Sequence, residues 1–141
     1  MPARTIYLIK RLETEVTAHM MKILGAFEIT PSQFIVLSFV GDNKTDLSSA
    51  QLSRRFLMTP QSMNEVVTTL QRKDLLLKTT DPQNKRILRI SLTEKGQEVL
   101  QECNAAMDTF EAQLLEGFTS TDVDVFKGMI GKILEKSKLV M

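Results

Sequence analysis

Three helix-start signals fall between residues 30 and 60, and they leave room only for short helices joined by tight turns. The first is Thr30-Pro31-Ser32-Gln33, a hydroxyl cap with proline at the first helical position and a Gln three residues on. A cap hydroxyl accepts from a first-turn amide, and the Gln side chain returns the bond to the cap's own amide. Proline fits there because its missing N–H would have had no partner in the helix. Ser48-Ser49-Ala50-Gln51 repeats the box, and Thr59-Pro60 supplies a third start. Ile29 with Phe34, Leu47 with Leu52 and Met58 with Met63 flank these caps in the positions that close a hydrophobic staple.

Periodicity supplies the other elements. Ile9, Leu12, Val16, Met20, Ile23 and Phe27 keep three- and four-residue steps, so one long helix is expected over about 5–26. Gly41, Asp42 and Asn43 close the helix that begins at Pro31. Met63, Val66, Val67 and Leu70 give the helix from Pro60 an apolar face that ends near Lys73. The period then changes. Leu75–Thr80 and Ile87–Leu92 read as two short strands around the turn cluster Asp81-Pro82-Gln83-Asn84. Thr93 caps a long helix with the stripe Val99, Cys103, Met107, Phe110, Leu114 and Phe118, and Thr119-x-x-Asp122 opens a last one. The expected fold class is mainly α with a small β-hairpin.

At 141 residues the chain suits one domain with a real core. Its longest uncharged run, Ile29–Gly41, is thirteen residues, short of the roughly 20 that a membrane helix needs. One cysteine excludes a disulfide framework, and one histidine excludes a His-rich metal site. No Gly-rich phosphate loop, Cys/His pairing or convergent carboxylate pair is present, so neither an enzyme nor a cofactor is expected. Asp122 and Asp124 sit at a helix start, where a carboxylate complements the helix dipole. The expectation is an intracellular, soluble protein in the cytoplasm. Net charge is only +1, yet residues 51–96 hold nine basic side chains against four acidic ones. A positive middle suits a face that binds a polyanion.

The second and third capped segments form a helix-turn-helix candidate, Ser48–Phe56 and Pro60–Lys73 with a brief turn at Leu57-Met58. A three-helix core followed by a hairpin is a winged helix. Its second helix can enter the major groove of DNA, about 12 Å wide, while the hairpin meets the backbone. With Met63, Val66, Val67 and Leu70 inward, Gln61, Glu65, Thr68 and Arg72 face outward, flanked by Ser62, Asn64 and Thr69. Gln and Asn pair bidentately with adenine, and Ser or Thr can contact bases or phosphate. The helix N-terminus at Thr59-Pro60 also offers backbone amides to a phosphate. Arg54 precedes this helix, and Lys85 and Arg86 occupy the wing, suited to phosphate or a narrow minor groove.

Residues 29–100 resemble the MarR (multiple antibiotic resistance regulator) family. The resemblance runs through ITPSQFIVL, LSSAQLSRRF, TPQSMNEVVTTLQRKDLL and the wing DPQNKRILRISLTEKG, in order and without gaps. It implies a homodimer, with residues 1–28 and 93–141 forming a helical dimerisation region around a DNA-binding lobe at 29–92. It also implies two recognition helices reading an inverted repeat in double-stranded DNA. Such proteins usually repress and are released by a small aromatic or anionic effector. Three positions depart from the family pattern: Asn84 where Asp is usual, Glu65 where Arg is frequent, and Asp74 where Gly precedes the wing. Loss of the wing Asp predicts a looser tip.

Other residues invite bland readings. Cys103 sits on an apolar stripe without a basic neighbour to activate it, so a packed thiol is expected rather than a redox switch. His19 fits a helix face near a dimer contact better than a pH sensor. The methionines on apolar stripes, among them Met63, Met107 and Met129, fit core filling. Gly128 and Gly131 either permit close helix approach or mark a bend. The competing function is a winged-helix module that binds protein instead of reading DNA sequence, which Glu65 and the near-neutral charge favour.

Overall fold

Each capping signal builds the helix it announces. A computed structural model of the chain describes residues 4–42, 47–56, 58–86 and 88–139. Six helices and three strands follow in the order α1 (Thr5–Gly25), α2 (Pro31–Asp42), β1 (Leu47–Ser48), α3 (Ser49–Arg55), α4 (Pro60–Arg72), β2 (Leu76–Thr80), β3 (Leu88–Leu92), α5 (Glu94–Leu114) and α6 (Ser120–Leu139). The Gln33 amide donates to the Thr30 hydroxyl at 3.2 Å, and the Thr30 amide donates to Gln33 Oε1 at 3.1 Å. Ser48 and Gln51 make the same reciprocal pair at 3.2 and 2.8 Å. Asn43, Leu57, Ile87 and the side chain of Leu47 lie outside the described residues.

The chain divides into two compact units, Met1–Met107 and Asp108–Met141. In the first, α2, α3 and α4 close over a core of Val36, Leu37, Val40, Leu52, Met63, Val67 and Leu70. Leu24 from α1, Ile29, Leu75, Leu76 from β2, Ile90 from β3, and Leu100 and Cys103 from α5 join it. A T-shaped contact between Phe39 and Phe56, 5.1 Å between centroids, joins α2 to the end of α3, and the Arg55 guanidinium covers the Phe39 ring at 4.7 Å. Along α1 the predicted stripe is covered only toward its end: Ile9 and Leu12 are exposed, and the fully buried residue is Leu24.

The sheet holds one strand more than the periodicity suggested. Two-residue β1 pairs with β3, Leu47 opposite Ile90, so the antiparallel order is β1-β3-β2. Between β2 and β3 the register runs from Leu76 opposite Leu92 to Thr80 opposite Leu88.

Helices α1 and α4 end alike. Ile29 N–H donates to Leu24 O and Glu28 N–H to Gly25 O, while Leu75 N–H donates to Leu70 O and Asp74 N–H to Gln71 O. This paired pattern is the Schellman motif, whose penultimate residue takes the left-handed conformation that glycine prefers. Acids occupy both positions, Glu28 at φ 58° and Asp74 at φ 63°. The two ends are fastened together, because Lys73 Nζ donates to the Glu28 carbonyl and to Gln33 Oε1.

The segment that closes the wing and starts α5 is equally tight. Thr93 donates its amide to Leu75 O at 3.1 Å and its hydroxyl to Asp74 O at 2.6 Å, and the hydroxyl accepts from Gly96 N–H at 2.9 Å. A Cβ on Gly96 would sit 2.1 Å from Leu75 O, so the Leu-Thr-Glu-Lys-Gly exit needs its glycine. In the second unit, Thr119 and Asp122 cap α6 reciprocally at 3.1 and 3.0 Å. Leu114 and Phe118 from the predicted α5 stripe are exposed, and Phe118 lies beyond the helix end. None of the described side chains of α6 is buried, and Phe126, Met129, Ile130 and Ile133 are exposed. No helix among the described residues is long and apolar enough to cross a membrane.

Candidate nucleic-acid interface

Helix α4 carries the sequence-predicted face as a consequence of which residues it buries. Met63, Val67 and Leu70 are wholly inside. At roughly 100° per residue, that places Gln61, Glu65 and Arg72 almost opposite the core. All three are exposed, as are Ser62, Asn64 and Thr68, whereas Thr69 is half-buried and turns its hydroxyl back to Glu65 O at 2.9 Å. Thr59 and Pro60 are also exposed. The Thr59 hydroxyl accepts from Ser62 N–H at 3.1 Å and donates to Ser62 Oγ at 2.9 Å, so both side chains serve the cap first. Arg54 is exposed near the end of α3, while its neighbour Arg55 is committed to Phe39.

The wing places Lys85 and Arg86 in the exposed turn between β2 and β3. Five residues of strand at about 3.3 Å each carry that turn about 17 Å beyond the sheet's base. At the tip, Asn84 Oδ1 accepts from Arg86 N–H at 3.1 Å, the kind of local turn that Asn side chains form.

A clamp that the sequence reading passed over lies just behind the tip. Asp81, buried at 7% exposure, accepts from Gln83 N–H at 2.9 Å through Oδ1 and from Arg89 at 3.0 Å through Oδ2. Asp81 and Arg89 thus form an ion pair. The Gln83 amide, with the Arg89 guanidinium, holds the Asp81 carboxyl below its ordinary value of 3.8, outweighing the opposing effect of burial. The pair depends on the hairpin register, in which Thr79 stands opposite Arg89 and Thr80 opposite Leu88, and the sequence does not show that register.

The remaining candidates lie elsewhere. Cys103 is fully buried, and burial, then the Glu102 carboxylate, pushes its thiol up from the ordinary range. His19 is exposed on α1. Gly128 and Gly131 have nothing within 4 Å of a Cβ in their own chain. No group of three or more His, Cys, Asp or Glu among the described residues could hold a metal ion.

A three-helix core, an exposed polar helix face and a clamped basic hairpin define a winged helix-turn-helix protein. Comparison with known proteins points the same way. Residues 27–87 match the family model described as MarR family. An HTH-type transcriptional repressor of Mycobacterium tuberculosis is 26% identical over 90% of this chain and 91% of its own. Among solved structures, the transcriptional repressor CouR bound to a 23-mer DNA duplex has a TM-score of 0.86 at 21% identity, covering 93% of this chain and 92% of that one. CouR from Rhodococcus jostii RHA1 has also been solved bound to p-coumaroyl-CoA, with a TM-score of 0.85 at 20% identity over 93% and 92% of the two chains. The S. aureus MepR–DNA complex matches with a TM-score of 0.86 at 20% identity, over 96% and 99% of the two chains.

Proposed function

We propose that this chain is a sequence-specific DNA-binding transcriptional regulator, a repressor that acts as a homodimer in the cytoplasm and not as an enzyme. The observation that carries this reading is the outward face of α4, where Gln61, Asn64, Glu65 and Thr68 stand exposed on a helix whose opposite face is buried through Met63, Val67 and Leu70. Those side chains supply hydrogen-bond donors and acceptors of the kind that read base edges. Thr59, Pro60 and Ser62 bring the helix N-terminus to a phosphate, and Arg54, Lys85 and Arg86 hold the backbone on either side. The exposed apolar faces of α1 and α6 suit a second copy of the chain. Two copies place two recognition helices on an inverted repeat. Release by a small aromatic or anionic effector is part of the proposal, with CouR and p-coumaroyl-CoA as its supporting parallel.

The test is selection from a random pool of duplex DNA by the purified protein. Enrichment of an inverted repeat is the expected result. Binding without sequence preference, by protein shown to be folded and dimeric, would favour a protein-interaction module and overturn the reading.

A further inference from the structure

Glu65 is the one acid on α4, and it occupies the middle of the outward face. Its neighbours one turn away on the helix are Gln61, Ser62, Thr68 and Thr69, none of them a cation. Arg72, the base that shares its direction, lies two turns further on. No ion pair to Glu65 is formed among the described residues, so no cation there neutralises it. A bare carboxylate in that place is repelled by every phosphate the helix approaches, and on the DNA-reading proposal above it therefore needs a hydrogen bond from a base.

The major groove narrows the choice of base. Guanine presents two acceptors there, and thymine an acceptor and a methyl group, so both repel or ignore a carboxylate. Adenine sets its amine beside the N7 acceptor, whereas cytosine offers its N4 amine as a donor alone. We propose that Glu65 is a specificity-determining residue that selects cytosine in each half-site. The same charge weakens binding to DNA of any other sequence, so Glu65 sharpens discrimination in a chain whose total charge is only +1.

The experiment compares full-length wild type, Glu65→Gln and Glu65→Ala. Each is selected on random duplex DNA, then titrated against the best repeat with all four base pairs at each half-site position. Both replacements are at an exposed site, and circular dichroism melting checks that the variants fold. Wild type should prefer cytosine at one position, losing on the order of 5- to 100-fold in affinity with another base pair there. Glu65→Gln should move that preference to adenine, which Gln pairs bidentately. Glu65→Ala should flatten it and bind random duplex more tightly at low salt. An inverted repeat with the same base preferences for all three proteins would overturn the role of Glu65 while leaving the DNA reader intact. If no folded dimer of the three retains DNA, the regulatory reading falls and this one with it.

Discussion

Gly96 and the Leu75 carbonyl approach so closely that a single added carbon would stand 2.1 Å from the oxygen. The contact joins the first turn of α5 to Leu75, three residues beyond the end of α4, and Thr93 donates its amide to the same carbonyl. Gly96→Ala should therefore destabilise the protein by about 1–3 kcal/mol, the usual range for forcing extra volume into packed structure. Helix propensity alone would give the opposite sign, a gain of about 1 kcal/mol. Gly25 is the control, since nothing lies within 4 Å of its Cβ position. Denaturant unfolding of Gly25→Ala should show no loss, and a stable Gly96→Ala would refute the packing account.

The two left-handed acids invite the reverse experiment. Glu28 and Asp74 hold φ values of 58° and 63°, a conformation that costs an L-residue roughly 1–2 kcal/mol. Glu28→Gly and Asp74→Gly should each raise stability by up to about 1 kcal/mol, with Asp74 gaining less because Asp tolerates this region better. Thermal unfolding of the two variants decides the matter, and a lowered midpoint in both would show that the acids stabilise the fold in another way.

Lys85 and Arg86 act on phosphate in the proposed function. Replacing either with Ala should weaken binding to all sequences alike and make the slope of log K against log salt shallower by roughly 0.9 for each phosphate left unneutralised. Titrations at several salt concentrations measure both quantities. An unchanged slope for Arg86→Ala would remove the wing from the interface.

The clamp behind the wing gives a pH dependence with a definite sign. The Asp81 pKa is lowered in the folded protein, so its stabilisation is fully present above the ordinary value of 3.8. It is lost as pH falls from there through the lowered value. Amide protection at Gln83 and Arg89 should stay level from neutral pH down to about pH 5 and fall only in stronger acid. Asp81→Asn should lower that protection at neutral pH. Loss of wild-type protection near pH 6 would exclude Asp81 as its cause.

Cys103 should be chemically quiet. A fully buried thiol whose pKa is raised holds little thiolate, the reactive form. Alkylation of the native protein should be slow at pH 8 and accelerate with denaturant. Rapid native labelling would reopen a sensing role.

Much of the winged helix was legible because its signals are local. A cap and its reciprocal Gln lie three residues apart, and the outward face of α4 follows from Met63, Val67 and Leu70 alone. Contacts between distant segments left no such trace. Strand β1 is two residues long and exists through pairing with Ile90 and Arg89, too short to show a period. Lys73 reads as the polar end of a helix, yet it reaches residues 45 and 40 positions away. Asp81 reads as a turn former, and its bond to Arg89 depends on the hairpin register. The apolar stripes of α1 and α6 were visible, but a stripe does not reveal whether its own chain covers it.

For α6 none of the described side chains is buried, and on the dimer reading this bears on how much protein a cell must make. On that reading such a helix draws its tertiary support from a second copy, so the fraction folded rises with copy number through mass action. On the dimer reading, dilution would loosen this segment first, and scarce molecules would be the ones most open to proteolysis. Supply and durability would then be linked, giving the chain a built-in threshold below which it fails to accumulate.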